Sequence, residues 1–207
     1  MINPAYAKVV GYIFCPQTEV HYSNWRSYLL TVPVLLTVCT NAIGVLARPA
    51  TVFMPHLERI QSNLPEGLVM RLPRDIPLSG HSDIEEDKLV VSIFPSDTPR
   101  SFTVSVFTCD RSSHPCLLGS FSVEKTTAAS ALAELDRHKT TGDRLILVNN
   151  VPAYLVEGPA QNPPLPFSTI MWQQNEMIYT ISFPAHERES MLWMATSMAT
   201  EKPLSHR

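Results

Sequence analysis

Tyr28 to Ala47 is a run of twenty residues without a charge, YLLTVPVLLTVCTNAIGVLA, bracketed by Arg26 and Arg48. Carrying a charge into hydrocarbon is costly, so an uncharged run of this length is what a membrane-inserted segment requires. Its apolar density falls after Cys39, where Thr40 and Asn41 interrupt it. A core of about 12 residues followed by small and polar ones fits a signal peptide better than a stable span. Val45-Leu46-Ala47 supplies the small or moderate side chains that a signal peptidase reads. A retained anchor is the competing reading. A buried core helix is a third, and Pro33 weighs against it. A lipoprotein site would need a small residue before Cys39, and Val38 stands there. The expected organisation is a signal peptide or membrane anchor over 1–47 and a single domain over 48–207. That domain is expected to be periplasmic or extracellular, touching the membrane only through the N-terminal segment.

The rest of the chain is globular in composition. Of its 207 residues 44% are apolar and 17% charged, which excludes a disordered chain. The 18 Pro outnumber the 7 Gly, so loops should be stiff and strands short. The net charge of -3 is spread out and offers no basic footprint for nucleic acid.

Beyond residue 47 the sequence has two cysteines, Cys109 and Cys116. The turn-rich stretch Asp110-Arg111-Ser112-Ser113-His114-Pro115 separates them, and alternating segments flank them over 101–108 and 117–123. The pair therefore lies at the closed end of a hairpin, where facing positions bring Cβ atoms to disulfide distance. Such a ring would stabilise by roughly 2–3 kcal/mol in the chain-entropy model. Two free thiols, or a metal held by Cys109, His114 and Cys116, are the other readings. The second lacks a fourth ligand.

Pattern and punctuation place the remaining elements. A short helix is expected over 55–63, with Leu57, Ile60 and Leu64 on one side. A strand over 67–72 should end at Pro73, and another over 88–94 at Pro95. Thr126 or Thr127 should cap a helix running to His138, with Ala128, Ala131, Leu132 and Leu135 inward. Strands over 144–148 and 153–157 surround Asn149-Asn150. The Pro-rich stretch 158–166 reads as a stiff, exposed loop. A hairpin follows, 168–172 and 177–183, then a helix from about Pro184 to Thr200 whose buried stripe is Met191, Met194, Ala195 and Met198. Strands joined by short turns, with helices at intervals, specify an α+β fold: a curved antiparallel sheet packed against a few helices.

Trp172, the turn after it, Tyr179 in the next strand, and then the helix Glu-Ser-Met-Leu-Trp-Met-Ala-Thr-Ser-Met-Ala resemble an uncharacterised domain family of exported bacterial proteins. That family is similar in fold to periplasmic lipoprotein carriers and sigma-regulator domains. The resemblance covers about Ala153 to Ala199 and implies helices against the concave side of a curved sheet. It carries over no catalytic residue.

No segment carries recognisable catalytic or cofactor chemistry. His186-Glu187 opens like a zinc-protease helix, but Ser190 stands where the second histidine belongs. Gly119-Ser120 lacks the flanks of a nucleophile elbow, with Leu117 and Ser122 in the wrong places. Asp136, Arg137 and His138 read as a solvated helix end. His81, His114 and His186 would make a site only if the fold brought them together. The sequence-level expectation is an exported, non-catalytic binding or interaction domain with no metal or cofactor. Its partner would be an apolar ligand or a protein, and the candidate ligand-binding residues are Trp172, Tyr179, Met191, Trp193, Met194 and Met198. A small extracytoplasmic hydrolase with an unrecognised site is the alternative. If the folded protein binds no environment-sensitive dye and the sheet–helix gap is filled by side chains, the binding reading fails at that site, and the Pro-rich loop over 158–166 becomes the expected interaction surface.

Overall fold

A computed structural model describes residues 48–78, 88–109 and 116–207. The expected signal or anchor, together with His81 and His114, lies outside them. The described residues belong to one compact unit, Gly44–Arg207. No helix among them is long and apolar enough to cross a membrane.

A 3-10 turn, Thr51–His56, leads into helix α1, Leu57–Asn63, and a two-residue strand β1, Val69–Met70. Three strands follow as a meander: β2 (Val90–Asp97), β3 (Arg100–Phe107) and β4 (Leu117–Lys125). Helix α2, Ala129–Thr141, crosses to a second meander of β5 (Asp143–Ile146), β6 (Pro152–Val156), β7 (Phe167–Gln174) and β8 (Met177–Pro184). Helix α3, Arg188–Thr200, and strand β9, Leu204–Ser205, close the chain. Among the described residues, seven strands form one antiparallel sheet in the order β2-β3-β4-β8-β7-β6-β5, and β1 pairs with β9. The α+β architecture of an antiparallel sheet with packed helices is thereby established.

Period-two alternation decides which side chains enter the main core. Phe102, Val104 and Val106 of β3, Phe121 and Val123 of β4, Tyr179, Ile181 and Phe183 of β8, and Ile170 and Trp172 of β7 all point to one face. The 3-10 turn and α1 cover that face at β2, and α3 covers it at β7 and β8. Phe53 meets Phe121 edge-on at 5.7 Å, and Phe121 lies 5.4 Å from Phe183. A Cβ at residue 119 would sit 2.4 Å from the Phe183 ring, so only Gly119 lets that ring lie on β4. Met171 and Ile178, on the opposite face, pack with Ala131 and Leu135 of α2. Helices therefore lie on both faces, not on one.

Cys109 and Cys116 are bonded to each other, with Cα atoms 5.9 Å apart, at the closed end of the β3–β4 hairpin. The Thr108 amide donates to the Cys116 carbonyl at 3.0 Å, so the strands remain paired there, beyond a one-residue register shift at Val106/Phe107.

Several local expectations change. Strand β2 does not stop at Pro95 but runs to Asp97, with Pro95 opposite Phe102. An edge strand tolerates the missing N–H that a central strand would not. No threonine side chain caps α2; its N-cap is Ala128. Leu132 is exposed, and His138 takes the inward place with Ala131 and Leu135, because 131, 135 and 138 share one helical face. The polypeptide stays in β8 through Pro184, and a 3-10 turn, Ala185–Glu187, precedes α3. The strand expected over 67–72 contracts to β1, which pairs with the equally short β9.

Candidate functional site

Helix α3 has two unlike sides. Met191, Met194, Ala195, Met198 and Ala199 face the sheet and are fully enclosed. Trp172 is 0% exposed and stacks on Tyr179 at 5.4 Å beneath them. The Trp172 indole donates to Gln174 Oε1 at 3.4 Å, and the Gln174 amide donates to the Ala199 carbonyl at 3.0 Å. The Tyr179 hydroxyl donates to the Val69 carbonyl at 2.9 Å, and burial pushes its pKa up against the opposing pull of Arg71. Every polar tip on these two aromatics is thus spent inside the protein. Five of the six candidate ligand residues, Trp172, Tyr179, Met191, Met194 and Met198, are core side chains that fill the gap between α3 and the sheet. Only Trp193 faces outward, at 42% exposure.

Trp193 walls an open cavity of about 500 Å³ with Pro77, Glu189, Ser190, Leu192 and Thr196. The helix repeat explains the placement. Residues 191, 194, 195 and 198 form the inward stripe, and 189, 193 and 196 fall on the other side. The same repeat, read in the sequence, separates Trp193 from the methionines.

The start of α3 holds a polar cluster. Glu187 is fully buried, and the Ser190 hydroxyl donates to its Oε2 at 2.8 Å. His186 Nε2 lies 3.5 Å from Glu187 Oε1. The carboxylate stands between hydroxyl and imidazole. In a Ser-His-Asp relay the imidazole stands in the middle, so the order of these groups differs from that arrangement. The positive end of the helix dipole favours a carboxylate there.

Two further clusters are structural. His138 is buried, with Nδ1–H donating to the Glu134 carbonyl at 3.0 Å and Nε2 accepting from the Thr169 hydroxyl at 2.8 Å. This is a neutral imidazole with both nitrogens satisfied, and burial holds its pKa below the usual value. Its neighbours Asp136 and Arg137 are exposed, as expected for a solvated helix end. Arg71, also buried, donates through Nη1 to the carbonyls of Glu201 and Met198 at the end of α3. The Glu201 carboxylate pairs with Arg74 at 2.9 Å.

The Pro-rich loop borders a second hollow of about 290 Å³, lined by Arg137, Thr141, Glu157, Ala160, Gln161 and Asn162 among others. Its lining mixes polar and apolar side chains and holds no aromatic ring among the described residues. No group of three or more His, Cys, Asp or Glu among the described residues is placed to hold a metal. No family model matches the chain, and no characterised protein or solved structure matches it either.

Proposed function

We propose that this chain is an exported, non-catalytic binding domain that takes an apolar or amphipathic partner on the outer side of α3. The observation that carries this reading is the Trp193 shelf. A tryptophan left 42% exposed borders an open cavity of about 500 Å³, while the other described tryptophan is sealed in the core. Cavities of this size with mostly apolar walls and a few polar groups are the usual form of a recognition site. Tryptophan is the side chain most enriched where binding energy concentrates. Export is supported by the uncharged run at 28–47 and by the bonded cysteine pair, which suits an oxidising compartment.

A neutral environment-sensitive dye such as Nile red tests the shelf. The folded protein should take up the dye, and Trp193→Ala should remove most of that signal without lowering the melting temperature by more than a few degrees. Equal uptake by wild type and Trp193→Ala would sink the proposal. Fusing residues 1–60 to a reporter active only outside the cytosol tests export; a reporter that stays inside the cell refutes it.

A further inference from the structure

The chemistry of the shelf narrows its partner, on the premise that the shelf is a binding surface. Glu189 and Trp193 are four residues apart on α3, so their side chains are neighbours one turn apart. The Glu189 side chain is 83% exposed. Its contact with Arg188 is 3.3 Å long, and Arg188 also bonds Glu157 at 2.9 Å, so two carboxylates share one guanidinium. An exposed pair of that kind is weak and readily exchanged for a better one. The lining itself has one carboxylate, two hydroxyls, an indole, a leucine and a proline, and no Lys, Arg or His among the described residues. Behind Ser190 stands the buried carboxylate of Glu187, at 2.8 Å from its hydroxyl.

We infer that the Trp193 shelf receives a lysine or arginine side chain presented by a protein partner. The methylene stem of such a side chain would lie along Leu192 and the Trp193 ring. Its cationic head would reach Glu189 beside the indole face, combining ion pairing with cation–π attraction. An anionic group would meet the Glu189 carboxylate, and none of the described lining residues is a Lys, Arg or His to attract it. The size fits a peptide: Glu189 to Thr196 spans about 10 Å of helix, room for two or three side chains of a partner segment. A lipid chain would need a deep slot, and the space behind α3 is filled by Met191, Met194 and Trp172.

The test uses the folded full chain and three fluorescently labelled peptides of equal length, alternating leucine with lysine, glutamine or glutamate. The lysine peptide should bind more tightly than the glutamine peptide by about fivefold or more, and the glutamate peptide most weakly. Glu189→Gln should erase the lysine preference and Trp193→Ala should weaken all binding about tenfold, while Asp136→Asn on α2 changes neither. Equal affinity for lysine and glutamine peptides would overturn the cationic partner and leave the shelf standing. Binding of dodecyltrimethylammonium but of no peptide would overturn the protein partner. If Trp193→Ala leaves lysine-peptide binding unchanged, or if nothing binds the wild type, the inference falls, and the dye result decides separately whether the shelf falls with it.

Discussion

The face of the sheet turned away from α3 is divided into two halves of opposite chemistry. Under α2 its side chains are Tyr154, Met171 and Ile178, met by Ala131 and Leu135. Across β2, β3, β4 and into β8 the same alternation places Ser92, Ser105, Ser120 and Ser182 in one cross-strand row, and Thr103, Ser122 and Thr180 in the next. The first row ends at Thr169, whose hydroxyl is held by His138 of α2. Both halves share one apolar core on the other side, so the difference isolates what a covering helix requires. Where a helix lies on the sheet, the alternate positions are apolar. Where none of the described helices does, these two rows are mostly small hydroxyls, and Thr103 and Ser122 bond each other at 2.9 Å, with the exposed Phe94 of β2 at the end of the second row. An apolar face of that extent would otherwise be an aggregation surface. The outer strand is blunted as well. Arg59 Nη2 donates to the Val91 carbonyl of β2 at 3.0 Å, and Pro95 offers no donor.

The largest effect belongs to the core that both halves share. Trp172→Ala should cost roughly 3–5 kcal/mol of stability, read by denaturant unfolding. A loss below about 1 kcal/mol would mean that the side chain is not enclosed. Leu135→Ala should cost about 2–4 kcal/mol, because it empties the seam between α2 and the covered half. If it costs no more than a surface change, α2 is not what closes that half.

His138 gives the comparison a pH axis. Its folded-state pKa lies below the ordinary 6.5, chiefly through burial. The unfolded chain therefore takes up a proton at this residue before the folded one does. Stability from this source is complete above the unfolded value. It is lost as pH falls below about 6.5 toward the lower folded value. His138→Gln should flatten this part of the stability profile, and an unchanged profile would remove His138 from the account. The smallest effect is expected on the bare half, where Ser122→Ala should cost no more than about 1 kcal/mol, the net worth of one hydroxyl bond. A larger loss would show that something packs on the hydroxyl rows.

Much of this was written in side-chain periodicity. The β3–β4 and β7–β8 hairpins, α2 and the inward stripe of α3 are long enough for alternation or a 3.6-residue repeat to identify them. The cysteine pair follows from where its hairpin closes. What escaped depends on neighbours distant in sequence. Pro95 stops a central strand but not an edge strand, and only the strand order makes β2 an edge. His138 looks like part of a charged triplet until Thr169 supplies its partner from β7. Arg71 is one arginine among many until the end of α3 arrives beside it. The site was half legible. Trp193 stands out in the sequence as an aromatic on α3, and the helix repeat separates it from Met191, Met194 and Met198.

The seam between the two ends of the domain has a consequence for how the molecule is made. Strand β1 is bordered by β9, Arg71 holds the last carbonyls of α3, and His206 Nδ1–H donates to the Leu64 carbonyl at 2.8 Å. These ties join residues 127 to 142 positions apart along the chain. Translation proceeds at about 5–20 residues per second, so the earlier side of the seam waits on the order of ten seconds for the later one. Until residue 206 has left the ribosome the latch has no second half. A polypeptide built in this order makes the ties of its N-terminal side only after β9 has been synthesised.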